Sequence, residues 1–167
     1  MFHIITILKN MVKRIILVGP TCAGKTYMRD KFREKGFDVD VSYASRQPRP
    51  GEVDGVDYNF IDKETFEAGI EANAFYEWVK YGENYYGTGS EEWNRSTVFI
   101  METDGVSKIH RADRPDCLVI YVNTPFDTRL KRMRERGWSD EKMSERVRVD
   151  QAKFKDFNDY DLQISSE

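Results

Sequence analysis

The chain is short of several features that mark common protein classes. It has two cysteines, Cys22 and Cys117, too few for a disulfide framework, and Cys22 lies inside a glycine-containing motif where a bridge would obstruct a ligand. A reducing, intracellular setting is expected. Long hydrophobic runs are missing: the opening "MFHIITILKN" has an apolar stretch of about six residues, no basic start and no small-residue cleavage site. Neither a signal peptide nor a bilayer span is expected, and a cytoplasmic protein is the default. Basic excess is missing as well, since 26 Lys and Arg face 29 Asp and Glu for a formal net charge of −3. That balance argues against a polyanion such as nucleic acid as the main partner. No repeat or low-complexity tract occurs.

What is present fits one domain. At 167 residues, 40% hydrophobic and 33% charged, the chain is long enough for a single core and too short for two. "RIILVG" is a strand-length apolar run ending at glycine, and "KTYMRDKFREKG" carries Met28, Phe32 and a closing Gly36 at helical spacing. "STVFIMET" and "CLVIYVNT" are continuously apolar, as expected of parallel strands covered on both faces. These runs predict a three-layer α/β/α core with a mostly parallel sheet. Residues 1–10 precede a second methionine and are either an upstream extension or an extra edge strand. Residues 42–95, rich in glycine, proline and tyrosine, predict an inserted substrate-binding region, and 128–146 begin a charged pair of helices broken at "RGWSD". The core is then about 11–41, 96–127 and 147–167.

"GPTCAGKT", spanning Gly19, Pro20, Thr21, Cys22, Ala23, Gly24, Lys25 and Thr26, fits G-x-x-x-x-G-K-[ST] between a strand and a helix. Its glycines let backbone N–H groups converge on a phosphate at a helix N-terminus. Lys25 would reach the β- and γ-phosphates of a nucleoside triphosphate, and Thr26 would ligate magnesium. Arg46 and Arg49 flank a proline and could clamp a second phosphate from two directions. From charge pattern alone, a solvated loop pairing them with Glu52, Asp54 or Asp57 is an equal alternative. No N-K-x-D motif of the kind by which signalling GTPases read guanine occurs.

From about Val12 onward the sequence resembles the guanylate kinases, which pass the γ-phosphate of ATP to GMP. The resemblance rests on the phosphate loop, "SRQPRPGEVDGVDYNF", "FYEWVKYGENYYGT", "METDG", "LKRMRERG" and "ERVRVDQAKF", in that order. It implies a P-loop kinase fold with an inserted GMP-binding region and a helical lid. It places Arg46, Arg49, Tyr58 and Tyr86 on the GMP phosphate, and Ser42, Glu77, Thr88 and Asp104 around guanine, with Gly87 in the same site. A carboxylate such as Glu77 can accept from guanine N1–H and N2–H2, while the hydroxyl of Thr88 donates to O6.

By the same resemblance Lys25, Arg46, Arg132, Arg136 and Arg146 are catalytic, the last three belonging to a lid that closes over the phosphates. A solvated basic helix or a nucleic-acid contact is the alternative for "RLKRMRER". MgATP is implied as donor, with magnesium on Thr26 and on Glu102, directly or through water. GMP, dGMP or both are the implied acceptors. A monomer or small homo-oligomer without membrane association is expected. Two other readings stand beside this one: a kinase-dead phosphopeptide-binding module, or a kinase for another deoxynucleotide or a ribose bisphosphate. Three positions depart from the family pattern: Glu102 where aspartate is common, Glu83 where a small residue is common, and Ser165 at about the place of an asparagine.

Overall fold

The computed structural model describes residues 12–165, so the alternatives for residues 1–10 lie outside the described residues. In chain order its elements are β1 (Arg14–Val18), α1 (Lys25–Glu34), β2 (Tyr43–Ala44), β3 (Asn59–Phe60), α2 (Lys63–Glu71), β4 (Phe75–Tyr81) and β5 (Asn84–Gly89). There follow α3 (Ser90–Arg95), β6 (Val98–Ile100), α4 (Thr103–Ser107), β7 (Cys117–Val122), α5 (Phe126–Glu135), α6 (Asp140–Phe154) and β8 (Leu162–Ile164).

An uninterrupted apolar strand is stable only with cover on both faces, and β1 has it: Ile15 to Val18 are fully buried. β1 sits inside a parallel sheet ordered β6–β1–β7–β8. Residues 38–40 extend that sheet beyond β6, with Val39 bridging Val98 and the Asp40 amide donating to the Val98 carbonyl at 2.8 Å. The pleat sends Ile15 and Leu17 to one face, where they pack with Val98, Ile120 and Met28 and Phe32 of α1. It sends Ile16 and Val18 to the other, where Phe99, Val119, Trp93 of α3, Val106 of α4 and Phe154 of α6 cover them. These are the three layers expected.

The inserted region has a second sheet, ordered β3–β2–β5–β4, in which only the β2–β3 pair is parallel. Its core is aromatic. Phe66 of α2 is fully buried and stacks on Phe75 and Tyr85 with ring centroids 4.2 and 5.3 Å apart. Asp62 caps α2 by accepting from the Thr65 amide at 2.7 Å.

Beyond β7, α5 and α6 form the helical pair. Gly137 turns the chain between them at a φ of 71°, a left-handed conformation that disfavours any side chain, and Ser139 caps α6. Met133 and Met143 of the pair pack on Cys22 of the phosphate loop. No helix among the described residues is long and apolar enough to cross a membrane.

Candidate active site

The phosphate loop runs from the end of β1 to the start of α1. Gly19 must lack a side chain, because a Cβ there would lie 2.5 Å from the Val122 carbonyl oxygen of the neighbouring strand. Gly24 stands at the helix N-terminus with a φ of 102°, again a glycine conformation, and directs the chain so that α1 opens toward the loop. Lys25 folds over the loop and donates to the carbonyls of Gly19 and Pro20. Desolvation lowers its pKa, while Glu102 and then Asp150 oppose that shift.

A carboxylate absent from the sequence motif anchors the loop. Asp150 of α6 is almost fully buried and accepts from the Thr21 amide at 2.9 Å and from the Thr21 hydroxyl at 3.2 Å. Two arginines pair with it, Arg129 of α5 at 3.2 Å and Arg146 of α6 at 3.4 Å. Arg146 also donates to the Thr21 hydroxyl, and Arg132 donates to the Cys22 carbonyl at 3.1 Å. The α5–α6 pair is thus hydrogen-bonded to the loop itself. No sequence motif points to Arg129 or Asp150; the spacing of four between Arg146 and Asp150 on a helix is the one local signal of their pairing.

A continuous cleft of about 1100 Å³ joins this loop to the inserted region. All of Arg46, Arg49, Tyr58 and Tyr86 line its far side, as do Ser42, Glu77 and Gly87. Glu52 holds the Arg46 guanidinium with two bonds, at 2.6 and 2.8 Å, and accepts from the Arg49 amide at 2.8 Å. The pairing with Glu52 raised as an alternative is therefore present, and it also orients Arg46 beneath the Tyr58 ring, 5.0 Å from its centroid. Arg46 Nε is buried without a partner among the described residues, a donor left for an anion.

Glu77 is buried on β4, opposite Thr88 on β5. Desolvation raises its pKa, with the Thr88 hydrogen bond and then Lys108 acting against this. Two base-site assignments find a different geometry. The Thr88 hydroxyl donates to Glu77 at 2.9 Å and is 1% exposed, so it orients the carboxylate rather than facing the cleft. Asp104 is exposed in the first turn of α4 and does not line the cleft. Its neighbour Gly105 does approach the site, since a Cβ there would lie 3.0 Å from Glu77 Oε2.

Glu102 and Thr26 both line the cleft beside Lys25. Burial would raise the pKa of Glu102, but Lys25 and then Lys153 outweigh it and hold the carboxyl below its usual range. Lys153 bonds Glu102 at 2.9 Å and, with Arg146, lies against the Tyr81 ring at 4.7 and 4.8 Å. No group of three or more metal-ligating side chains occurs among the described residues. A hydroxyl and a carboxylate are too few to enclose a cation alone; the oxygens of Thr26 and Glu102 would suit a magnesium ion held mostly by phosphate and water.

Residues 11–167 match the family model described as guanylate kinase. Among similar proteins, the guanylate kinase of Aster yellows witches'-broom phytoplasma is 36% identical over 137 residues, covering 76% of this chain and 65% of that protein. The chain thus spans just under two thirds of that relative's length. The guanylate kinase of Shewanella violacea is 35% identical over 162 residues, covering 89% and 77% of the two chains. The crystal structure of guanylate kinase from Anaplasma phagocytophilum superposes with a TM-score of 0.71 at 20% identity, covering 94% of this chain and 78% of that one, which shows a shared fold.

Proposed function

The chain belongs to the guanylate kinase family, and from that premise we propose that it transfers the γ-phosphate of ATP to GMP, dGMP or both. The observation that carries this reading is the continuous cleft lined at one end by Thr21 to Thr26 of the phosphate loop and at the other by Arg46, Arg49, Tyr58, Tyr86 and Glu77. Residues 42–95 are the acceptor-binding region of one domain and 128–146 its lid.

The division of labour follows from the charges. The loop's backbone and Lys25 hold the donor phosphates, and Arg46 and Arg49 hold the acceptor phosphate with Tyr58 and Tyr86. Glu77, oriented by Thr88, accepts from the N–H edge of guanine. Phosphoryl transfer needs alignment and charge neutralisation more than proton transfer, because the attacking phosphate oxygen is already anionic. Arg132, Arg136 and Arg146 neutralise charge on the transferring group and exclude water from it. Magnesium, when bound by Thr26 and the phosphates, supplies further neutralisation. Thr88 supports this chemistry indirectly by fixing Glu77, and Glu102, beside Lys25 and Lys153, would help to hold a magnesium ion when one is bound. This reading carries a cytoplasmic location and small-molecule partners with it.

Purified protein supplied with MgATP and each common nucleoside and deoxynucleoside monophosphate, with ADP formation followed, tests the reading. Turnover confined to guanine nucleotides supports it. Turnover with a different base, or none with any acceptor while ATP still binds, overturns it.

A further inference from the structure

The acceptor region meets helix α6 at an aromatic ring that has no part in the reaction above. Tyr81 is the last residue of β4, paired with Asn84 of β5 at the end of their hairpin. Side chains of a strand alternate, so Glu77, Val79 and Tyr81 fall on one face, and all three line the cleft. The hairpin that carries Glu77 thus presents a tyrosine to the same cleft about 13 Å further along the strand.

On α6 the spacing of four and then three puts Arg146, Asp150 and Lys153 on one face. Both cations converge on Tyr81: the Arg146 guanidinium carbon lies 4.8 Å and the Lys153 Nζ 4.7 Å from the ring centroid. Arg146 and Arg46 are held in inverse ways. Glu52 takes both terminal nitrogens of Arg46 and leaves its Nε without a partner among the described residues. Arg146 instead commits Nε, to the Thr21 hydroxyl and to Asp150, and lies over the Tyr81 ring. A carboxylate would occupy the N–H edge of a guanidinium, whereas a ring attracts the cation and leaves that edge for a bidentate grip on phosphate.

We propose that Tyr81 is a positioning residue for phosphoryl transfer: its ring, carried by the acceptor hairpin, aims the terminal nitrogens of Arg146 at the transferring phosphate. This inference rests on the kinase reading of the site and deepens it. The ring comes from the region that holds the acceptor and the guanidinium from the helix tied to the phosphate loop, so the charge is aimed where the two substrates meet. Lys153, on the same ring, bonds Glu102 at 2.9 Å and braces the ring from the other side.

The test compares the parent with Y81F, Y81L and Y81M, and repeats Y81L on an R146A background, with MgATP and GMP as substrates. Y81F keeps the ring and should hold kcat within about twofold. Y81L, and Y81M, which fills similar space without a ring, should each lower kcat about tenfold while both KM values stay within about twofold, because the loss falls on charge that develops during transfer. On R146A, Y81L should add no further loss. A ring that only supported the fold would act equally with or without Arg146. Parental kcat in the folded ringless variants, or an undiminished loss on R146A, overturns the proposal; in the second case the ring acts through Lys153 or the fold. Urea unfolding of the parent, Y81L, R146A and the double variant reads the contact without turnover: the double variant should lose less than the sum of the two single losses. Additive losses overturn the contact. Coupled losses in a parent that turns over no guanine nucleotide would remove the kinase reading and leave Tyr81 as the seat of Arg146.

Discussion

The two sheets solve opposite problems. The parallel sheet buries β1 on both faces and meets ligand at its ends, where Gly19 and Gly24 shape the backbone of the phosphate loop and Lys25, Thr26 and Glu102 stand beside it. The inserted sheet is half-exposed and meets ligand through side chains: Arg46, Tyr58, Glu77 and Tyr86 all project from it or its loops. A phosphate common to every nucleotide can be held by main chain, which cannot vary with sequence. A particular base and its acceptor phosphate need particular side chains. Damage to the first region should thus act on transfer to any acceptor, and damage to the second on the choice of acceptor.

The largest expected effect comes from Lys25→Ala, which should lower kcat for every accepted nucleotide by about 10³-fold, since it removes a positive charge at the transferring phosphate. Its melting temperature should stay near that of the parent. A loss confined to one acceptor would break the contrast between the regions. Next is Glu77→Gln, expected to cost roughly tenfold to a few hundredfold in kcat/KM for GMP, from one or two charged hydrogen bonds, while the AMP rate holds or rises. Equal loss for both bases would make Glu77 a support of the β4–β5 pair only.

Arg46→Ala should raise the KM for GMP by about ten- to a hundredfold with little change for ATP, because it removes the guanidinium and leaves Glu52 unneutralised beside the acceptor phosphate. Steady-state titration of each substrate separates the two constants, and parallel rises would mean the regions are not energetically distinct. The smallest effect is on stability, at the seam where residues 38–40 join the insert. Asp40 keeps its proton in the folded chain from its ordinary 3.8 up to about 7, so the folded state binds more protons than the unfolded one over that window. Stability contributed there falls as pH rises. Between pH ~5 and ~8 the parent should lose about 5 °C more in Tm than Asp40→Asn. Identical slopes in a melting series would show that the Asp40 carboxyl is ionised throughout.

The same contrast decides what could be read from sequence. "RIILVG" and "CLVIYVNT" announce β1 and β7 because doubly covered strands must be continuously apolar. The loop and α1 are equally legible, since the glycine positions are set by backbone geometry. The insert's sheet is not: β2 and β3 have two residues each, and their pairing depends on partners far along the chain. The motifs single out Arg46, Arg49 and Glu77, which the fold brings to one cleft, yet they carry no sign that Thr88 turns inward to Glu77 or that Asp104 faces solvent. Asp150 lies 129 residues from the loop amide it binds, a distance across which no spacing rule operates.

Helix α6 ties those distant parts together as a lever. Near its C-terminal end Phe154 stacks on Tyr121 of β7 with rings 8° from parallel, a natural fulcrum in the core. At 1.5 Å per residue the arm from there to Asp140 is about 21 Å, and that from there to Asp150 about 6 Å. A tilt of ~10° about the fulcrum carries the far tip about 4 Å while Asp150 moves about 1 Å. The tip can swing over the cleft while the short arm transmits only a small, graded tug to the Thr21 amide, a gearing of about three and a half to one set by where along the helix the aspartate stands.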